Sequence, residues 1–341
     1  MKLKQMKPGG KADFRFIILF LILILLGIFV KSGYLLQSMI MILLYAYWSS
    51  SWNIIGGFAG QMSLGHATYI GIGAYVSTVL LIRFGLSPWI GMLIGGLVAG
   101  FFGVLMGIPT FRLKGVYYTL STMALLNTVR LVMASEEYIF GFRTNAALGI
   151  KMPWYSGFSA MQFLEKSYYY YIILCMLGLV MFVSSRIKRS RDGYYLAAIT
   201  TNENAALSLG VNVSYYKLKA QFFSCFFTAL GGTFYAQLIM YLDPNRLFGY
   251  DLSLELTVLA MIGGRATVFG PVLGALLLVP VSEAARTYLG ATNAGLALVV
   301  YGVVLMLTVY FMPNGLLHFF KKIAEKARFA GNRGRRGDSV G

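Results

Sequence analysis

Apolar residues run along this chain in blocks of about twenty, and Asp, Glu, Lys and Arg fall between the blocks rather than within them. At a rise of about 1.5 Å per residue, such a block is long enough to cross a bilayer core of roughly 30 Å as a helix. The blocks predict ten spans, near residues 14–30, 34–56, 66–84, 88–109, 115–134, 168–186, 218–242, 252–264, 270–289 and 294–312. The predicted fold class is therefore an all-α polytopic membrane protein. The opening MKLKQMKPGGKADFR has the basic flank of a signal peptide. The apolar run behind it, Phe16 to Val30, has no small-residue cleavage site, so it is read as a retained first span.

Composition agrees with the pattern. The chain is 58% hydrophobic and only 12% charged over 341 residues, too little charge for the surface of a soluble protein of this size. The net charge of +17 does not point to nucleic acid, because the positive residues sit at loop ends and not on a folded basic face with interleaved aromatics. With ten spans, both termini share a side. Of the 29 Lys and Arg, eight (Lys31, Arg83, Arg130, Arg143, Lys151, Lys166, Arg246 and Arg286) fall at or beyond the opposite ends of the spans. The remainder lie with the termini, which places that side in the cytoplasm. The expected organisation is a basic cytoplasmic segment 1–13, a transmembrane domain 14–317 and a basic cytoplasmic tail 318–341. Five spans on either side of the outer loop 135–165 would run in opposite directions, which permits a five-plus-five inverted repeat, although no residue-level repeat is visible. The loop itself, with Glu136, Glu137, Arg143, Glu165 and the cluster PWYSGF, is either a connector or a surface met by a partner outside the cell. Cys175 and Cys225, far apart and both inside apolar blocks, read as small buried hydrophobes rather than a disulfide framework.

Between Ser32 and Ile82 there is no Asp, Glu, Lys or Arg, yet two spans must be joined there by GGFAGQMSLGHATYIGIGAY. A turn without charge suggests irregular backbone at membrane depth, tolerated only where it is buried in protein or lines a wet cavity. Gly56, Gly57 and Gly60 allow unwinding, Ser63 is placed to cap the new helix, and Gly65, Gly71 and Gly73 suit close packing. A helix starting inside a membrane presents free N–H groups and a partial positive charge, suited to a carboxylate. Gln61, Ser63, His66 and Thr68 are the pathway candidates at this break, with Ser121 and Asn127 in the fifth span behind them. Tight packing without any pathway role explains the glycines equally well. A lone His near a helix start is more often a satisfied polar group than a proton relay, and with His318 in the tail no metal site has its ligands. A second break, MIGGRATVFGP at 261–271, reads as packing with Arg265 as an inner-side anchor. Glu255 falls near the outer interface, and Glu283 and Arg286 share a helix face on which they can pair. No chain of buried charges of the kind an ion-driven carrier needs is evident.

The segment RDGYYLAAITTNENAALSLGVN, 191–212, has the composition of a soluble helix between two apolar blocks. Thr200-Thr201-Asn202-Glu203 fits a capping box with Thr200 as N-cap and Glu203 reaching back. The helix should run about 201–209 and end at Gly210, where a left-handed residue is cheap for glycine. Asn202, Ala205, Ala206 and Leu209 then share one small-residue face that suits a groove on another protein. It is too weakly apolar to be a membrane-surface anchor. An ordinary capped loop helix accounts for the pattern as well.

Three blocks carry a resemblance: GGFAGQMSLGHATYIGIGAYVS, RDGYYLAAITTNENAALSLGVNVSYYKLKAQ and SLELTVLAMIGGRATVFGPVLGALLL. In this order, and with the closing FMPNGLL, they resemble the membrane permease subunits of ABC importers for branched-chain amino acids, the LivM/LivH type, over about residues 34–317. The middle block is the most specific. The resemblance implies a type II-like importer permease in which 191–212 is the coupling segment that docks on an ATPase, and it assigns that role to Asn202, Glu203, Ala205, Ala206 and Gly210. It also implies a second permease subunit, two ATPase subunits, an extracytoplasmic binding protein delivering Leu, Ile or Val, and a bacterial or archaeal plasma membrane. No cofactor is expected on this chain, and ATP would be used by the partners. The chain has no G-x-x-x-x-G-K-[ST], and PGGKAD lacks its spacing and hydroxyl. One departure stands out: GGRAT occupies the turn where the family has GGLGS, which puts Arg265 there. Urea, amide or other amino-acid importers share these blocks, and they form the alternative within the class. A carrier driven by an ion gradient, or a membrane scaffold without transport, are the alternatives outside it.

Overall fold

The computed structural model describes residues 32–136 and 157–289, most of 138–155, and scattered positions within 20–30 and 299–316. The first and tenth expected spans, 14–30 and 294–312, therefore lie largely outside the described residues. The other eight all appear as helices. They are α1 Gly33–Asn53, α2 His66–Phe84, α3 Pro88–Thr110, α4 Val116–Ser135, α5 Lys166–Arg189, α8 Val213–Ile239, α10 Tyr250–Gly264 and α11 Gly270–Leu289. Between α5 and α8 come two short helices, α6 Arg191–Thr201 and α7 Glu203–Ser208, and a single turn, α9 Pro244–Leu247, precedes α10. Among the described residues five segments are long and apolar enough to cross a membrane. Phe101, Leu105, Tyr117, Leu131 and Phe182 point outward from the bundle, the inverse of a soluble surface.

The seventh block is the one whose helix starts well before its apolar run. α8 begins at Val213, not 218, because the Asn212 side chain accepts from the Tyr215 N–H at 3.1 Å. Lys217 and Lys219 thus ride within the helix. α2 ends where Gly85 turns left-handed at φ +61°, and α3 restarts with Pro88 at its first turn.

The core is α8 against α2 and α3, with α1 and α10 closing the other side. α2 and α8 are in backbone contact: a Cβ on Gly73 would collide with the Ala229 carbonyl oxygen, and one on Gly232 with the Ile70 oxygen. Without a hydrophobic drive between helices in lipid, such close approach is what holds the pair, and the Thr233 hydroxyl adds a bond to the Gly73 carbonyl at 3.0 Å. Cys225 is buried in this contact, whereas Cys175 lies exposed on the outer surface of α5, against the expectation that both are buried.

At one end of the bundle the long loop after α4 is folded. β1 Tyr138–Ile139 pairs with β2 Phe142–Arg143, and β3 Ile150–Lys151 pairs antiparallel with β4 Tyr241–Leu242 just after α8. Trp89 at the start of α3 stacks on Phe158 of the aromatic cluster and donates its indole N–H to the Phe158 carbonyl at 2.9 Å. Gln162 reaches Gln237 of α8 at 3.2 Å. The loop is thus a structured cover, with Trp154, Tyr155 and Phe158 still exposed on it.

Candidate functional site

The opposite end of the bundle gathers the two glycine breaks and the polar segment 191–212 into one junction. α1 does not simply stop. It loosens into a π turn, Ile54–Phe58, and an irregular stretch leads to His66. Gly57 is required there, since a Cβ would overlap Asn53 Oδ1 and sit 2.8 Å from the Ala266 nitrogen. That approach lets the Asn53 amide bind the second break on both edges: Oδ1 accepts from Ala266 N–H at 3.1 Å and Nδ2 donates to the Thr267 carbonyl at 2.8 Å. Arg265 Nε donates to the Gly56 carbonyl at 3.0 Å. The second break thus packs against the first, and Arg265 and Asn53 tie the two together.

From the polar segment, Thr200 Oγ1 donates to the Phe58 carbonyl at 3.1 Å, and Lys188 at the end of α5 donates to the Ala266 carbonyl at 2.6 Å. Thr200 is not the N-cap. α6 continues through Thr201, and Asn202 caps α7 by accepting from Ala205 N–H at 3.1 Å. Asn202 wins because it is extended, at φ −157° and ψ 108°, as a cap must be. Glu203 does not reach back. Its carboxylate takes Lys217 Nζ of α8 at 2.9 Å, and Asp192 takes Lys219 at 2.7 Å, so two ion pairs clamp the helix pair onto α8. Gly210 does end the element left-handed, at φ +80°. Of the expected docking face, Asn202, Ala205 and Gly210 are exposed and Leu209 is 83% exposed. Ala206 faces the other way, 2% exposed among Ile199 and Val213. No local signal marks Thr200 as a link, since its acceptor lies 142 residues away.

The first break also differs from expectation in its cap. Gly65 occupies the cap position of α2 without a side-chain bond, and the His66 N–H is taken by Ser253 Oγ of α10 at 2.9 Å. The first N–H at this helix start is thus already filled. Ser63 Oγ accepts a long bond from Gly65 N–H and sits 3.1 Å from His66 Nδ1, while His66 Nε2 lies 2.8 Å from Ser224 Oγ. Ser224 gives its own proton to the Ser51 carbonyl at 2.8 Å, so its oxygen must accept from Nε2–H, and Ser63 donates to Nδ1. A neutral imidazole protonated on Nε2 satisfies every group. His66 is a satisfied buried polar group, held between α1, α8 and its own loop.

The break is deep. Ser224 stands eleven residues into α8, about 16 Å from its start at the helical rise. Trp52 closes the loop by donating to the Ser63 carbonyl at 2.7 Å. Ser63, His66 and Thr68 are buried, with the Thr68 hydroxyl lacking a partner among the described residues, while Gln61 is partly exposed. Ser121 and Asn127 are partly exposed on α4, whose neighbouring Thr122 accepts from Leu64 N–H at 3.1 Å. The structure brings Ser63 and His66 into one cluster.

At the far end a cavity of about 240 Å³ opens between α1, α8, α10 and α11. Tyr45, Trp48 and Tyr235 form its aromatic wall, and Asp251, Glu255 and Glu283 its acidic side, with Arg246 at the rim. Glu255 thus lines the cavity at the end opposite the junction. The side chain of Arg286, expected to pair with Glu283, lies outside the described residues. Among the described residues no group of His, Cys, Asp and Glu is placed to hold a metal ion.

A many-helix bundle with apolar spans, glycine breaks and a polar helix pair bonded to them at one end defines a multi-pass membrane protein. The chain belongs to the family described as branched-chain amino acid transport system / permease component, whose profile matches residues 34–309. It is 27% identical over 285 residues to the high-affinity branched-chain amino acid transport system permease protein LivM of Escherichia coli (strain K12). That alignment covers 78% of this chain and 65% of the relative, so the chain spans just under two thirds of that protein's length. It is 22% identical over 320 residues to the probable branched-chain amino acid transport permease protein LivM of Methanocaldococcus jannaschii, covering 80% and 90% of the two chains. A ribose import permease protein, RbsC, of Haemophilus influenzae is 26% identical over 202 residues, 55% of this chain and 56% of the relative. No solved structure matches.

Proposed function

We propose that this chain is the permease subunit of an ATP-driven ABC importer for branched-chain amino acids, with the pair α6–α7 as its coupling segment. The observation that carries this is the junction: a capped, exposed helix pair clamped to α8 by two ion pairs and bonded to the first membrane break. Such a piece transmits a push as a rigid body. The family membership supplies the context in which a separate ATPase does the pushing.

The finer architecture belongs to the same reading: ten spans in a type II-like, five-plus-five inverted arrangement, both termini cytoplasmic, in a bacterial or archaeal plasma membrane. The partners are a second permease subunit, two ATPase subunits that hold the ATP, and an extracytoplasmic binding protein. The chain carries no phosphate-cradling motif of its own and is not an enzyme in this scheme. Asn202, Ala205, Leu209 and Gly210 meet the ATPase, whereas Glu203 and Ala206 hold the segment in shape. Gln61, Ser121 and Asn127 line the path, with Ser63, His66 and Thr68 behind them exchanging partners as the bundle moves. Carboxylates beside an aromatic wall in the outer cavity suit a protonated amine, which favours an amino acid over urea, an amide or a sugar.

Co-expression with the candidate ATPase subunits and binding protein, followed by purification through this chain, tests the reading. Ala205→Trp, a bulky group on an exposed position, is expected to release the ATPase subunits and abolish uptake while the chain still inserts. Leu209→Cys in a Cys175→Ser background is expected to be labelled only from the cytoplasmic side. Labelling from outside, or an Ala205→Trp complex that keeps its ATPase and transports, rejects it.

A further inference from the structure

We propose that the π turn Ile54–Phe58 is the element through which the coupling segment acts on the bundle, with Thr200 and Arg265 as its positioning residues. The inference rests on the coupling role assigned to α6–α7 above.

A helix end leaves its last carbonyls without partners, and a π turn holds one residue more than an α turn with poorer hydrogen bonding. Here two of the orphan acceptors are satisfied by side chains from distant segments. The Gly56 carbonyl takes Arg265 Nε and the Phe58 carbonyl takes Thr200 Oγ1. Lys188, just ahead of the coupling segment, lies 5.9 Å from the Phe58 ring centre while its ammonium holds the second break at Ala266. Gly60, left-handed at φ +74°, brings the succeeding backbone against Thr200, where a Cβ would lie 3.0 Å from Thr200 Cγ2 and 3.5 Å from Arg265 Nη2. The residues of the turn are themselves buried, while Thr200 and Arg265 reach them from the exposed side of the junction.

Thr200 is built as a latch. Its hydroxyl has one proton and two acceptors in reach, the Phe58 carbonyl at 3.1 Å and the Leu196 carbonyl of its own helix at 2.8 Å. When α6 shifts, the hydroxyl falls back on Leu196 and loses nothing. The Phe58 carbonyl is left unpaired, so the cost lands on the π turn. A turn with one extra residue relieves that cost by slipping into α register, which rotates the irregular stretch 59–65. That stretch is tied onward by Trp52 at the Ser63 carbonyl and by the Ser63 hydroxyl through His66 to Ser224 of α8. The turn that the coupling segment touches is thereby joined to the buried break through the chain 59–63 and the bonds from Ser63 by way of His66 to Ser224.

The isosteric pair Thr200→Val and Thr200→Ser tests this in two measurements. In the purified chain, amide exchange at 55–61 should rise about ten-fold for Thr200→Val and stay near wild type for Thr200→Ser. In the complete complex, reconstituted in vesicles with ATPase subunits and binding protein, Thr200→Val should move at least five-fold less solute per ATP hydrolysed. Its ATPase subunits should co-purify in the wild-type ratio, and Thr200→Ser should couple normally. Arg265→Lys, which keeps a donor, should fall between wild type and Arg265→Met. Unchanged exchange in Thr200→Val, wild-type coupling in that variant, or loss of its ATPase subunits overturns the proposal. A wild-type complex that hydrolyses ATP without uptake instead defeats the importer reading on which the proposal stands.

Discussion

Removing the carboxylate of Glu203 isolates the clamp that holds the helix pair to α8. In the intact chain Lys217 Nζ and Glu203 Oε2 are 2.9 Å apart, with the Lys217 side chain 3% exposed and that of Glu203 28% exposed. The pair is therefore asymmetric. Glu203→Gln strands a buried ammonium, for which breaking a buried pair costs about 3–5 kcal/mol. The water that reaches the Glu203 side, and the amide oxygen left behind, reduce this to about 2–3 kcal/mol. Lys217→Met leaves a carboxylate that can turn to solvent and fills the lysine's apolar surroundings, so it should cost about 1 kcal/mol or less. Local opening of α6–α7 in the purified chain reads this out through amide exchange. Glu203→Gln should exchange roughly 30- to 150-fold faster over 199–209, since each 1.4 kcal/mol is about ten-fold. Lys217→Met should change it less than about ten-fold, and the double variant should lie near Lys217→Met. Equal effects from the two single variants, or no change in Glu203→Gln, would refute the argument from unequal burial.

Two further substitutions probe the packing that carries the junction. Ser253→Ala removes the hydroxyl that accepts the His66 N–H at 2.9 Å, and the buried donor left behind should cost about 1–2 kcal/mol, visible as a lower thermal midpoint in detergent. Gly73→Ala drives a Cβ into the Ala229 carbonyl and should prevent recovery of folded protein, whereas Gly33→Ala, with nothing within 4 Å, should leave the yield unchanged. Comparable yields for both glycine variants would remove the basis for the α2–α8 backbone contact.

The blocks of apolar residues located eight helices closely, because in lipid the length of an uncharged run is itself the structural constraint. Agreement reaches both terminal residues of α2 and the first residue of α11, since glycine punctuates them. The start of α8 was hidden, because a polar cap and two lysines open a helix whose apolar run begins later. Gly210 was legible as a stop, being a local backbone requirement. The capping box was misplaced by two residues, because Thr200 and Asn202 are both competent caps and only the path of α6 selects between them.

Which polar groups meet was a different matter. The string of residues announced that Ser63, His66, Glu203 and Arg265 needed partners, for a buried donor or charge must have one. It could not say that Ser253 would cap α2, that Glu203 would turn to Lys217, or that Arg265 would reach back to Gly56. Each of those bonds spans between 14 and 209 positions, and its geometry exists only once the helices are packed. Membrane class, span positions and the polar segment were thus determined locally, by hydropathy and backbone stereochemistry. The union of two glycine breaks and that segment into one hydrogen-bonded junction was decided by tertiary packing, because distant donors and acceptors are paired by the fold that brings them within about 3 Å.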